Sequence, residues 1–179
     1  MLVDDAGGRI EYVPGFVELD RARTWFELLR AGVAWRSERR MMYDREVDVP
    51  RLVASFRLDD PEAPAPVLEA ERRVVETTGT PFTNVGLNLY RDGRDSVAPH
   101  NDHTDEIVAG HPIALVSLGA ARRMTIRSKA RPVRRYDLDL EPGSLLVMSY
   151  ETQATYDHGI PKTNDPVGER ISMAFRVRR

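Results

Sequence analysis

The sequence predicts an α+β fold, mainly β: a jelly roll, or double-stranded β-helix, buttressed by helices on its N-terminal side. Three observations carry this. From Thr83 onward apolar residues recur with a period of two, Val85, Leu87 and Leu89 alternating with Gly86, Asn88 and Tyr90, which is the pattern of a strand. Further strand-like segments at 113–118, 123–127, 133–139, 144–149 and 171–177 are punctuated by Gly119 and Pro142-Gly143. Upstream, the period is that of helices, and strands that follow helices rather than alternate with them argue against a βαβ fold. With 179 residues the chain fits one domain, 1–179, whose support lies in 1–82 and whose jelly-roll core lies in 83–179.

Residues 10–19 read as a short strand interrupted by a turn at Pro14-Gly15. Asp20 is placed as the N-cap of a helix over 21–29, with Ala22, Trp25, Phe26 and Leu29 on its apolar face and Gly32 where it should stop. Trp35, just after it, reads as a core ring. Residues 41–57 hold strand pieces with Pro50 at a boundary, since proline cannot donate to a ladder. The stretch D-D-P-E-A-P-A-P is a linking loop. A second helix runs from about 66 to 77, burying Val67, Ala70, Val74 and Thr77 and ending at Gly79.

Hydrophobic content of 41% and charged content of 30% suit a globular chain. No apolar run approaches the roughly 20 residues needed to span a bilayer, and the N-terminus M-L-V-D-D-A-G-G-R lacks an apolar signal region. The expectation is a cytoplasmic monomer without a membrane partner. The absence of cysteine excludes disulfides, thiolate ligands and a thiol nucleophile, leaving histidine and carboxylates as the strong ligand types. A net charge of -2 provides no global attraction for a polyanion. Arginine is nonetheless concentrated in two clusters, one of Arg36, Arg39, Arg40, Arg45 and Arg51, the other of Arg122, Arg123, Arg127, Lys129, Arg131, Arg134 and Arg135. Such clusters either contact phosphates or form a solvated face, and composition favours the latter.

The chemistry concentrates in 88–105, N-L-Y-R-D-G-R-D-S-V-A-P-H-N-D-H-T-D. It begins as a strand, turns at Asp92-Gly93, and presents His100 and Asp102 two residues apart, which in extended chain puts both side chains on one side. With His158 they supply the two histidines and one carboxylate of a non-heme Fe(II) facial triad, which leaves positions open for an acid cosubstrate and O2. A buried structural histidine is the competing reading of His158. His103 has the wrong parity, and His111 precedes Pro112 in a loop. Arg170, Ser172 and Arg176 share one strand face. An arginine aimed into a sandwich needs a partner, because an unpaired buried charge costs several kcal/mol, and a small-molecule carboxylate would provide one through two parallel hydrogen bonds. The alternative is an outward face continuing into Arg178, and parity does not choose between them.

These motifs, in this order, resemble the AlkB family of Fe(II)- and 2-oxoglutarate-dependent dioxygenases from about Asn84 to the C-terminus. The family's N-x-Y is Asn88 and Tyr90, its H-x-D is His100 and Asp102, its later histidine is His158 in T-Y-D-H-G-I-P, and its closing R-x-N-x-x-x-R is R-I-S-M-A-F-R, Arg170 to Arg176. Segments 112–120 and 140–148 are also similar. The resemblance implies His100, Asp102 and His158 as Fe(II) ligands and Arg176 as the partner of the distal carboxylate of 2-oxoglutarate. Arg170, Asn88, Tyr90 and position 172 would help to hold that cosubstrate. The family asparagine is Ser172 here. V-P-R-L-V-A-S-F, at 49–56, resembles the start of a nucleotide-recognition lid within 1–82, shortened to R-L-D-D-P-E-A-P. The implied activity is O2-dependent oxidative demethylation of N-alkylated bases in single-stranded or duplex DNA, or in RNA. The alternatives are the same chemistry on a protein or small-molecule substrate, and a non-catalytic nucleic-acid-binding jelly roll.

Overall fold

The computed structural model describes residues 1–42, 45–102 and 104–179, with side chains described outside 38–48. The chain runs through β1 (Val3–Asp5), β2 (Gly8–Val13), α1 (Leu19–Gly32), β3 (Arg36–Met42), β4 (Arg45–Arg57), α2 (Ala65–Thr78), β5 (Asn84–Tyr90), β6 (Val97–His100), β7 (Ile113–Gly119), β8 (Arg122–Ser128), β9 (Arg135–Leu140), β10 (Leu145–Met148), α3 (Thr152–Thr155), β11 (Tyr156–Ile160) and β12 (Arg170–Arg176). Eight strands form one antiparallel sheet in the order β1-β2-β10-β7-β12-β5-β4-β3, and four form a second in the order β6-β11-β8-β9. This is the expected jelly roll with helical buttresses. Residues 1–82 contribute four strands of the larger sheet as well as α1 and α2.

Side-chain alternation sets the layers. Val85, Leu87 and Leu89 of β5 and Ile171, Met173 and Phe175 of β12 point outward onto Ala22, Trp25 and Leu29 of α1 and Val67, Ala70 and Val74 of α2. Tyr90, Ala174, Leu115 and Leu146 point the other way, onto Met124, Ile126, Leu140, Tyr156 and Ile160 of the smaller sheet. Between its neighbours β10 and β12, β7 is covered on both faces, which is why I-A-L-V-S-L is almost continuously apolar.

Several boundaries differ from expectation for identifiable reasons. The strand begun at residue 10 ends at Val13, before the Pro-Gly turn, and pairs with the unexpected β1 in a hairpin. The residue before α1 is Glu18, with no side-chain cap, and Asp20 lies inside the first turn, where its charge suits the positive end of the helix. Phe26 is only half-buried, whereas Ala22, Trp25 and Leu29 are buried. Thr77 is exposed: a 3.6-residue period from Val67, Ala70 and Val74 falls on Thr78, and the Thr77 hydroxyl instead donates to the Arg73 carbonyl at 2.9 Å. Gly79 closes α2 in the left-handed conformation (φ 67°). Trp35 packs on the helix-side core. Pro50 does not bound a strand but lies within β4. It sits outside the stretch paired with β5 and beside the register shift against β3, so its missing N–H breaks no regular ladder. No helix among the described residues is long and apolar enough to cross a membrane.

The passage from the larger to the smaller sheet turns on Gly119, whose φ is +79°. A Cβ there would collide with the Glu169 carbonyl oxygen and stand 2.7 Å from the Phe26 ring. Gly119→Ala is therefore expected to lower unfolding free energy by roughly 2–3 kcal/mol, from left-handed strain together with overpacking. Urea denaturation checks this: the midpoint falls with an unchanged slope.

Candidate active site

The inner face of the larger sheet carries one set of polar groups. Antiparallel register sets Arg170 beside Tyr90, Ser172 between Asn88 and Ser117, and Arg176 beside Asn84. Because these positions share parity with Ala174, which packs against the smaller sheet, the inward alternative holds for Arg170, Ser172 and Arg176. Arg170 is 1% exposed. One of its terminal nitrogens donates to Ser117 Oγ at 2.9 Å, its guanidinium lies over the Tyr90 ring at 5.1 Å, and Nε and Nη1 are buried without a hydrogen-bond partner among the described residues. Burial works against its charge. Asn88 accepts a hydrogen bond from Arg51 Nε at 2.7 Å, tying β5 to β4.

The smaller sheet brings the other set. His100 ends β6 and faces His158 of β11 across the antiparallel ladder, with ring centroids 4.5 Å apart. His100 Nδ1 lies 2.9 Å from the Ala98 carbonyl oxygen, which can only accept, so Nδ1 is the donor there and Nε2 is the nitrogen whose lone pair a metal would take. Asp102 follows in the segment after β6. Its backbone N–H donates to Gln153 Oε1 at 3.0 Å, and its Oδ1 accepts from Arg176 at 2.9 Å. Its Oδ2 is buried with no partner among the described residues. Among the described residues no three histidine or carboxylate side chains stand in an arrangement that holds a metal ion. One Asp102 oxygen is occupied by Arg176, and His103 lies outside the described residues. The donors nevertheless suit a divalent cation: a buried carboxylate oxygen lacking a partner, an imidazole with a free Nε2, and a second imidazole kept neutral beside it.

The electrostatics follow from burial. His158, 6% exposed, has its pKa lowered from 6.5 to about 4, mainly by burial and then by the charge of His100. Burial pushes the Asp102 carboxyl up, but Arg176 and the two imidazoles outweigh it and leave the group below its ordinary value.

Ser117, Gln153, Arg51 and Arg122 escaped the sequence reading as site residues. Ser117 carried a signal, being the polar member of an otherwise apolar strand; Gln153, on the short α3, carried none. The second arginine cluster is largely neutralised: Arg123 pairs with Asp139, Arg134 with Asp5, Arg135 with Asp137 and Lys129 with Asp157. Arg122 is buried, while Arg127 and Arg131 are exposed. In the first cluster the side chains of Arg39, Arg40 and Arg45 lie outside the described residues.

His158 makes the metal-free protein sensitive to acid. The unfolded chain takes up a proton near pH 6.5 that the folded chain resists until about pH 4. The stability from keeping this ring neutral is thus present above pH 6.5 and lost as pH falls toward 4, a loss of about 3 kcal/mol. Asp102 adds its own loss only at more acidic pH. Urea midpoints measured from pH 7.5 to 4.5 check this, and His158→Gln is expected to flatten the slope.

Residues 58–176 match the family model for the 2OG-Fe(II) oxygenase superfamily. "Alpha-ketoglutarate-dependent dioxygenase alkB homolog 3" of Bos taurus is 32% identical over 188 residues, covering 94% of this chain and 66% of its own. "DNA oxidative demethylase ALKBH2" of Bos taurus is 39% identical over 119 residues, covering 62% of this chain and 43% of its own. This chain therefore spans slightly less than two thirds of the first relative's length. A Pseudomonas putida prolyl-4-hydroxylase shares the fold, with a TM-score of 0.64 and 13% identity over 96% of this chain and 94% of that one. Sheets, motifs and relatives agree: the chain belongs to the 2OG-Fe(II) oxygenase superfamily and, within it, to the AlkB family.

Proposed function

We propose that this protein is an Fe(II)- and 2-oxoglutarate-dependent dioxygenase that removes N-alkyl groups from bases of single-stranded or duplex DNA, or of RNA, by oxidation. The observation that carries the cofactor half is Arg170, a buried guanidinium with two nitrogens lacking a partner among the described residues, on the same inward face of β12 as Arg176, which bonds Asp102. The substrate half is supported by the relatives, one of which is named a DNA oxidative demethylase.

His100, Asp102 and His158 would hold the iron. Bound there, iron and 2-oxoglutarate supply the oxidising chemistry: O2 is consumed, 2-oxoglutarate becomes succinate and CO2, and the N-alkyl carbon is hydroxylated. The product of a methylated base then loses formaldehyde and leaves the free N–H. The chain's own residues bind and orient. Arg170 is the guanidinium that holds the distal carboxylate, a division of labour opposite to the one implied by the family resemblance, since Arg176 is committed to Asp102. The Tyr90 ring lies against the Arg170 guanidinium, and Ser172 presents a hydroxyl where an asparagine amide would reach farther. Arg176 orients the Asp102 carboxylate and keeps it ionised for metal binding. Arg51 bonds Asn88, which links the pocket to β4, where the shortened lid begins.

The test is an aerobic assay of Fe(II)-loaded protein with 2-oxoglutarate and a base-methylated single-stranded oligonucleotide, with formaldehyde and succinate quantified. The two products should rise together, and unmodified oligonucleotide should yield succinate only slowly. Asp102→Ala should cut turnover by more than about 100-fold. Arg170→Met should raise the KM for 2-oxoglutarate by roughly 30-fold or more, the cost of losing a buried charged hydrogen-bond pair. Succinate without formaldehyde on any methylated nucleic acid would contradict the substrate assignment.

A further inference from the structure

A second buried guanidinium lies beyond the groups used above. Arg122 opens β8 directly after the Gly119 corner and is 3% exposed. Three backbone carbonyls, rather than a carboxylate, take its N–H groups: Asp92 at 2.8 Å, Asp95 at 2.8 Å and Pro161 at 2.9 Å. Its Cζ lies 5.7 Å from the centroid of the Tyr90 ring, the same ring that Arg170 covers at 5.1 Å. Burying a charge against carbonyl dipoles is a poor source of stability, since well-packed apolar groups commonly serve as well. The arrangement calls for another reason.

We propose that Arg122 is a positioning residue for the cosubstrate pocket, fixing the Tyr90 ring and through it the Arg170 guanidinium. The inference rests on the reading of Arg170 as the carboxylate grip. The carbonyls belong to separate pieces of chain: Asp92 and Asp95 to the turn after Tyr90, and Pro161 to the exit of β11. That turn is itself rigid. The buried Asp95 carboxylate accepts from the Arg91 backbone N–H and from two of its guanidinium nitrogens, and Thr163 N–H donates to the Gly93 carbonyl at 2.9 Å. The planar fork presents two separate nitrogens to these acceptors, Nη1 to Asp92 and Nη2 to Asp95 and Pro161, whereas the three donors of an ammonium radiate from one nitrogen on a differently shaped stem. With the turn held, the Tyr90 ring stays between strands β5 and β8, and Arg170 keeps its unpartnered nitrogens at one place. The proximity of a second cation also acts against the Arg170 charge, a repulsion that an arriving dicarboxylate relieves.

The test measures the Kd of 2-oxoglutarate by anaerobic titration of the Fe(II)-loaded protein, wild type against Arg122→Met, Arg122→Lys, Tyr90→Leu and the Arg122→Met/Tyr90→Leu double variant. Arg122→Met is expected to weaken binding about 10-fold, the size typical of outer-sphere partners, while kcat at saturating 2-oxoglutarate changes less than about 3-fold. Arg122→Lys, which keeps the charge but not the fork, should weaken it similarly, and it carries the test alone should the methionine variant not fold. The double variant should bind no more weakly than Tyr90→Leu, because Arg122 acts through that ring. Wild-type affinity in the lysine variant, or losses that multiply in the double variant, would overturn the inference. A wild type that binds no 2-oxoglutarate overturns the cosubstrate reading as well, whereas wild-type binding with unchanged variants overturns this inference alone.

Discussion

A fully buried arginine with no carboxylate partner among the described residues is the constraint on which the site depends. An isolated charge inside a sandwich costs several kcal/mol, yet Arg170 is held there with Ser117 as a hydrogen-bond partner and an aromatic ring beneath it. The jelly roll tolerates this because the rest of the inner face is well packed: Tyr90, Leu115 and Ala174 close against Met124, Ile126 and Tyr156. Stability is drawn from the apolar layers on both sides of the larger sheet. The polar row of Asn88, Ser172, Ser117 and Arg170 is free to be shaped by what it binds.

The two sheets meet chemically as well as sterically. Asp102 comes from the segment that leaves the smaller sheet and Arg176 from the last strand of the larger one, and their ion pair joins the histidine–carboxylate group to the arginine-bearing face of the larger sheet. Both groups are largely enclosed, so the pair is shielded from salt, and Arg176 helps to keep Asp102 ionised. The antiparallel register that places His100 opposite His158 depends in turn on β11 being threaded between β6 and β8. Fold and site are thus coupled through backbone register rather than through any single loop.

Much of this was legible in the sequence. Period-two alternation located β5, β7 and β12 and set Arg170, Ser172 and Arg176 on one strand face and Asn88 and Tyr90 on another; His100, Asp102 and His158 stood out by residue type and spacing. What stayed hidden was relational. Parity alone could not tell whether Arg170 faced the core, because that depends on which sheet lies opposite. The roles of Arg170 and Arg176 could not be separated either, since Asp102 is 74 residues from Arg176 and only the packed sheets reveal their contact. β1 and β6 were too short to show a period. Arg122 sat within a run of arginines that is otherwise exposed, so its burial left no mark in composition.

The central claim is that the histidine–carboxylate group and the arginine-lined pocket bind one metal and one 2-oxo dicarboxylate side by side. The most direct measurement is an anaerobic titration of the metal-free protein with Fe(II) and then 2-oxoglutarate, followed by visible absorption. A weak metal-to-ligand charge-transfer band is expected that appears only when both are present and is absent from Asp102→Ala. No band in the wild type at saturating concentrations of both would contradict it.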